Sequence, residues 1–292
     1  MTGRSSARRP LATRPVRRSR PVRRASNRIT PTRVAAAFIV ALVVLAIYGI
    51  TSSSAFDYAR LRVDGASLTK GGDVEATLAG VRGQNLFRLE TRPLEDAIEE
   101  LPTVARARVG VELPDTIAVR IDEREPILVW AVGDQRFLVD STGRLFAAFP
   151  SDPPPSAADL PVVDDRRAAS GAFAVGSTLD PVDLDAATRL GSLVPNDVGS
   201  EADHLAVVLT DENGYVVKPK PGGWSAVFGF FTPTLRPPGI IPGQVRLLRS
   251  LLIGREPIVD RIILANETDG TYTVKPTPKP SSSPRASASP AP

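Results

Sequence analysis

Val34–Ile50 is a run of 17 residues with neither a charge nor a proline. As a helix it is about 25 Å long, close to the shortest length that crosses a hydrocarbon core of roughly 30 Å. Arg33 can snorkel at one end and Thr51 can extend the other, so a single span over residues 34–51 is expected. Ten of the 17 are Val, Leu, Ile or Phe, which together favour insertion by about 3–6 kcal/mol. Ser53-Ser54-Ala55 resembles a signal-peptidase site, but the apolar run is longer than the 7–15 residues of a signal peptide and the basic region before it is long.

The flanks orient the span. Residues 1–33 hold eleven arginines, no lysine and no acidic residue, whereas residues 51–56 carry no charge. The positive-inside rule leaves residues 1–33 in the cytoplasm and sends the rest across. This tail repeats Arg14-Pro-Val-Arg-Arg-Ser19 as Arg20-Pro-Val-Arg-Arg-Ala25, a proline-broken run of like charge that is expected to be disordered. Fixing topology is its simplest role; adhesion to the anionic inner leaflet and loose contact with nucleic acid are the alternatives. The net charge of +4 hides a split, since residues 34–274 carry −10 and Lys275, Lys279 and Arg285 lie beyond them. The high pI therefore belongs to the tails, and no specific nucleic-acid partner is expected. With no cysteine, the translocated part must hold itself together by its core.

Residues 57–124 read strand, helix, helix, strand, strand. Leu61–Gly65 is a short strand ending in a turn glycine. Thr69 is placed to cap a helix over Asp73–Leu78, and Asn85–Leu89 reads as an extended apolar link. Pro93 opens a second helix with Leu94, Ile98 and Leu101 inward. The period then falls to two. Ala105, Ala107, Val109, Val111 and Leu113 alternate with polar residues, Pro114-Asp115 turns, and Ile117, Val119 and Ile121 alternate again. Further on, Ile127–Val132, Arg136–Asp140, Leu160–Val163, His204–Leu209, Tyr215–Val217, Ile258–Leu264 and Thr271–Val274 read as strands. Val182–Leu193 and Gln244–Ile253 read as helices. A proline-rich loop spans 232–243, and residues 276–292 form a Pro/Ser/Ala tail expected to be disordered.

The words Val63-x-Gly65, Gly83-x-Asn85-Leu86-Phe87, Leu101-Pro102-x-Val104-x-x-Ala107-x-Val109, Leu113-Pro114-Asp115-Thr116-Ile117 and Glu123-Arg124-x-Pro126, in this order behind a basic tail and one span, resemble the POTRA domain of the FtsQ/DivIB bacterial cell-division proteins. Leu138-Val139-Asp140-x-x-Gly143-x-Leu145-Phe146 is similar to the opening hairpin of that family's second domain. The resemblance implies an α+β chain: a single transmembrane helix, a β-α-α-β-β POTRA domain over 56–124, and a mixed, β-rich domain over 125–275. It implies a non-enzymatic septal scaffold in the cell (inner) membrane, N-terminus inside, that binds small bitopic division proteins of the FtsB/DivIC and FtsL type. Contact with septal wall-synthesis proteins is a further implication. The last strands carry the contact in that family, which points to Ile262, Leu264, Tyr272 and Val274 here. A POTRA-bearing envelope protein for polypeptide transport is the alternative, and it would need tandem POTRA units or a barrel.

The residues themselves offer little catalysis. No cysteine and one histidine, His204, leave neither a thiol nucleophile nor a multi-histidine metal site. Asp164-Asp165 and Asp180-x-x-Asp183-x-Asp185 lack the glycine and the terminal glutamate of a calcium loop and read as solvated loops and a helix start. No catalytic residue, metal or cofactor is expected.

Overall fold

A computed structural model describes residues 30–150 and 154–276. The expectations for most of the basic tail and for nearly all of the Pro/Ser/Ala tail fall outside these residues. The chain divides into two units at Ser53–Ser54. The first contains helix α1 (Pro31–Thr51), with mean hydropathy 2.6 over its most apolar stretch and no buried side chain. It begins earlier than the apolar run because Pro31, lacking an amide hydrogen, suits a first helical turn. The helix is long and apolar enough to cross a membrane.

The second unit holds two sheets. The smaller has order β1-β3-β2, with β1 (Arg60–Asp64) parallel to β3 (Thr116–Glu123) and β2 (Val104–Glu112) antiparallel to it. Helices α2 (Gly71–Thr77) and α3 (Arg92–Glu99) bury Val74, Leu94 and Ile98 against Val109, Ile117, Val119 and Ile121. Gly65, at φ +87°, ends β1 where a Cβ would stand 2.3 Å from the Ile121 carbonyl oxygen. A bulge opposite Glu123 shifts the alternation of β2, so Val104 is buried and Ala105 is not. Past Val109 the strand outruns the helices, which leaves Val111 and Leu113 exposed.

Two local expectations for this sheet are corrected. Thr69 does not cap α2, which starts after Lys70; its hydroxyl lies 2.7 Å from that of Thr103. Asn85–Leu89 is not extended, because the Asn85 side chain accepts from the Phe87 amide and turns Leu86–Arg88 into a 3₁₀ helix.

The larger sheet has nine strands: β4 (Leu128–Val132), β5 (Gln135–Val139), β6 (Leu145–Phe149), β7 (Val162–Asp165), β8 (His204–Thr210), β9 (Gly214–Lys220), β10 (Ser225–Gly229), β11 (Val259–Leu264) and β12 (Gly270–Val274). Their order is β12-β11-β10-β9-β8-β7-β4-β5-β6, with parallel pairs at β4/β7, β7/β8 and β10/β11. α4 (Pro181–Gly191), α5 (Pro195–Val198) and α6 (Ile241–Leu252) contribute Ala186, Leu190, Val198, Leu248 and Leu252 to the core on one face. Trp130, Tyr215, Trp224 and Phe228 fill that core, each side chain worth about 1.5–3 kcal/mol on burial.

Asp165 is a further correction. It is not solvated but 1% exposed, and accepts from Trp130 Nε1 at 3.1 Å, Ser170 Oγ at 2.6 Å and the Arg167 guanidinium at 2.8 Å. Arg167 also reaches Asp183 at 2.9 Å, so these acids brace β7 against α4. Asp180 caps α4 through the Val182 amide, in keeping with a helix start.

Candidate partner-binding edge

In a sheet protein the surface most open to a partner is an unpaired edge. Four strands stand at sheet ends, and three of them are protected. β2 has its Ala107 and Val109 amides satisfied by the carboxylates of Glu99 and Glu95 from α3, both at 3.0 Å. β6 is bordered by residues 176–178, through Leu145 N–H to Ser177 O at 2.8 Å and Gly176 N–H to Leu145 O at 2.7 Å. β1 carries Arg60, Arg62 and Asp64, charges that discourage edge pairing.

β12 has none of these devices. Its sequence, Gly-Thr-Tyr-Thr-Val, is uncharged, proline-free and rich in strand formers. On its inner side it pairs with β11 in the register Leu264↔Gly270, Ile263↔Thr271, Ile262↔Tyr272 and Arg261↔Thr273. On its outer side no strand pairs with it among the described residues. Gly270 sits beneath α6, where a Cβ would meet Leu247 and Leu251 at 3.2 and 3.4 Å.

The four residues expected at the contact divide into two pairs. Ile262 and Leu264 are 0% and 1% exposed and belong to the core, because β11 lies under α6. Tyr272 and Val274 are 42% and 56% exposed on β12 itself. Ile263, on the opposite face, is exposed by 46% and was not among the expected residues. Alternation along β11 places it out of phase with Ile262 and Leu264, a signal that the sequence does carry.

The proline-rich loop ends beside this edge. Arg236 donates to the carbonyls of Phe228 at 2.6 Å, Leu264 at 2.7 Å and Ala265 at 2.5 Å, tying the loop to the ends of β10 and β11. The buried Gln244 amide also reaches Leu264 O, at 3.2 Å. Burial pushes the Arg236 guanidinium below its usual pKa. Thr232 closes the loop, accepting from Arg236 N–H through its hydroxyl at 3.0 Å. His204 is exposed at the start of β8. Among the described residues no cluster of three or more acidic or histidine side chains is arranged to hold a metal ion.

The small sheet and its helices coincide with a match to the FtsQ-type POTRA domain over residues 56–124. The cell division protein FtsQ of Mycobacteroides abscessus is 36% identical over 101 residues, 35% of this chain and 32% of that protein. That of Streptomyces venezuelae is 31% identical over 141 residues, covering 48% and 51%. That of Chloroflexus aurantiacus is 25% identical over 240 residues, 82% of this chain and 78% of its own length. The FtsQ-type POTRA domain and these FtsQ-named relatives support an FtsQ/DivIB family protein. Among the described residues it has one helix long and apolar enough to span a membrane, followed by an FtsQ-type POTRA domain and a β-rich region. It spans about a third of the Mycobacteroides relative's length and over three quarters of the Chloroflexus one.

The POTRA match gives its sequence words a physical meaning. Glu123 accepts from the amides of Ser67, Leu68 and Thr69 at 3.0, 2.8 and 2.6 Å, and from the Ser67 hydroxyl at 2.6 Å. Burial works to raise its pKa, but these bonds outweigh it and hold the carboxyl down to about 2. Arg124 donates to Pro102 O at 3.0 Å and to Asp140 at 2.7 Å, joining the POTRA domain to the first hairpin of the large sheet. Asp140 in turn accepts from the Thr142 amide and hydroxyl and the Arg144 amide, closing the turn at Gly143. Asp115, after Pro114, receives Arg60 at 2.5 Å and fixes the entry to β1.

Proposed function

We propose that this protein is a non-enzymatic septal scaffold of the bacterial divisome. The basic residues 1–33 lie in the cytoplasm, residues 34–51 cross the inner membrane once, and a POTRA domain (56–124) and a β domain (125–275) act outside it. The β domain accepts a strand from small bitopic division proteins of the FtsB/DivIC and FtsL type along β12. It thereby links early and late division proteins and helps control septal peptidoglycan synthesis. The observation that supports this most is the contrast between β12 and the three protected edges: β12 is uncharged and, among the described residues, unpaired on its outer side. Tyr272 and Val274 supply apolar contacts beside the backbone pairing.

Two experiments test it. A fluorescent fusion at the N-terminus should form a midcell band before constriction; an even envelope signal throughout the cycle would contradict a septal role. Tyr272→Asp should cut co-purification of the two small partners at least tenfold with the melting temperature unchanged. Undiminished co-purification would overturn the edge assignment.

A further inference from the structure

The nine-stranded sheet carries α4, α5 and α6 on one face. Alternation sends Val207, Leu209, Tyr215 and Val217 into the helix-covered core, so Ala206, Val208, Val216 and Lys218 point to the opposite face. At the β4–β6 end this second face is covered by Leu68, Ala157 and Leu160. Across β7, β8 and β9 it opens into a trough of about 1030 Å³, bordered by Ala158, Leu160 and Pro161 and by residues 222–224. The floor is aliphatic, made of Ala131, Val162, Ala206 and Val208, with Val162 46% exposed.

The charged groups around this floor are mostly basic: Arg136, Arg166, Lys218 and Lys220, with His204, against Asp164 and Asp260. Arg166 already holds Asp164 at 2.7 Å. Arg136 donates to the carbonyls of Gly133 and Gln135, which leaves its charge uncompensated. Among the described residues neither lysine has a carboxylate within ion-pair distance. This cluster reverses the sign of the region around it, since residues 34–274 carry −10.

An aliphatic floor with basic walls selects among ligands. A glycan favours an exposed aromatic platform, and the aromatic residue of the lining, Trp224, is 2% exposed. The chain's own C-terminal tail carries Lys275, Lys279 and Arg285 and no acidic residue, so its charge is wrong. We infer that the trough binds an extended, acidic segment of a partner protein, whose carboxylates meet Lys218, Lys220 and Arg136 and whose alternate apolar side chains lie on Val162, Ala206 and Val208. In an extended segment successive side chains point to opposite sides, so apolar residues can face the floor while acidic ones reach the walls.

The test uses the full chain in a neutral detergent and a fluorescent hexapeptide, Glu-Val-Glu-Val-Glu-Val, followed by anisotropy. The arginine tail also attracts this peptide, so the decisive comparison is with variants that keep the tail. Lys218→Glu with Lys220→Glu should weaken binding at least tenfold, and Val162→Asp should do the same from the floor. Both lysines are exposed, and their replacement should leave the melting temperature unchanged. Equal affinity in parent and variants would assign the binding to the tail and overturn the proposal. So would a parent that sediments as a dimer dissociated by the lysine variant, which would give the trough to a second copy of the chain.

Discussion

Single side chains at the ends of elements do much of the organising here. Glu123 accepts from four donors of the 67–69 segment, and its depressed pKa makes that a pH-dependent contribution. The sign follows from the direction: a carboxyl lowered by folding adds stability above its unfolded value near 4.5, and that stability is lost as pH falls toward 2. Glu123→Gln should therefore lower stability by about 2 kcal/mol at pH 7 and flatten the acid limb of the melting-temperature profile between roughly pH 4.5 and 2. An unchanged acid limb would show that the 67–69 cradle does not form. Arg236 plays a similar part in the proline-rich loop, and Arg236→Ala should raise amide exchange across residues 230–237 and 264–265 while the POTRA domain stays protected. The burial of Asp165 was not legible in Asp164-Asp165. One of two adjacent acids is drawn inward by Trp130, Ser170 and Arg167, partners that are distant in sequence or set by tertiary packing.

Among the elements, β11 and β12 show what a strand pattern tells and what it leaves out. Alternation correctly groups Ile262 with Leu264 and Tyr272 with Val274. It does not say that β11 lies beneath α6 while β12 lies at the sheet margin, because that depends on pairing between distant strands and on helix packing. The two pairs of side chains should therefore respond differently to charge. Leu264→Asp buries an unpaired carboxylate in the core and should cost more than about 3 kcal/mol, read as a collapse of the thermal transition. Tyr272→Asp sits on an exposed strand and should cost less than about 1 kcal/mol. Equal destabilisation of the two would mean that Tyr272 is covered. The hairpins, α4 and α6 were legible from period and punctuation. The bulge at Val104 and the 3₁₀ turn after Asn85 were not, since each depends on one hydrogen-bonded side chain or one extra residue that a repeating pattern does not encode.

For the molecule as a whole, the organising fact is that two sheets with separate cores are joined at Arg124 and Asp140. Burial works to raise the Asp140 pKa, but bonds from Thr142, Arg124 and Arg144 lower it, so the joint strengthens above the ordinary carboxylate range and weakens in acid. Arg124→Ala should cost about 2 kcal/mol, measured by denaturant unfolding, since it leaves a 5%-exposed carboxylate without its cation. Among the described residues this architecture leaves β12 uncharged and unpaired at the margin of the large sheet. The measurement that tests the strand-accepting scaffold most directly is amide hydrogen exchange on the full chain in detergent, with and without the two small bitopic partners. The account predicts that protection appears in residues 270–274 and leaves β6 and the POTRA sheet unchanged. Protection gained at another edge, or none at all while the partners remain bound, would contradict it.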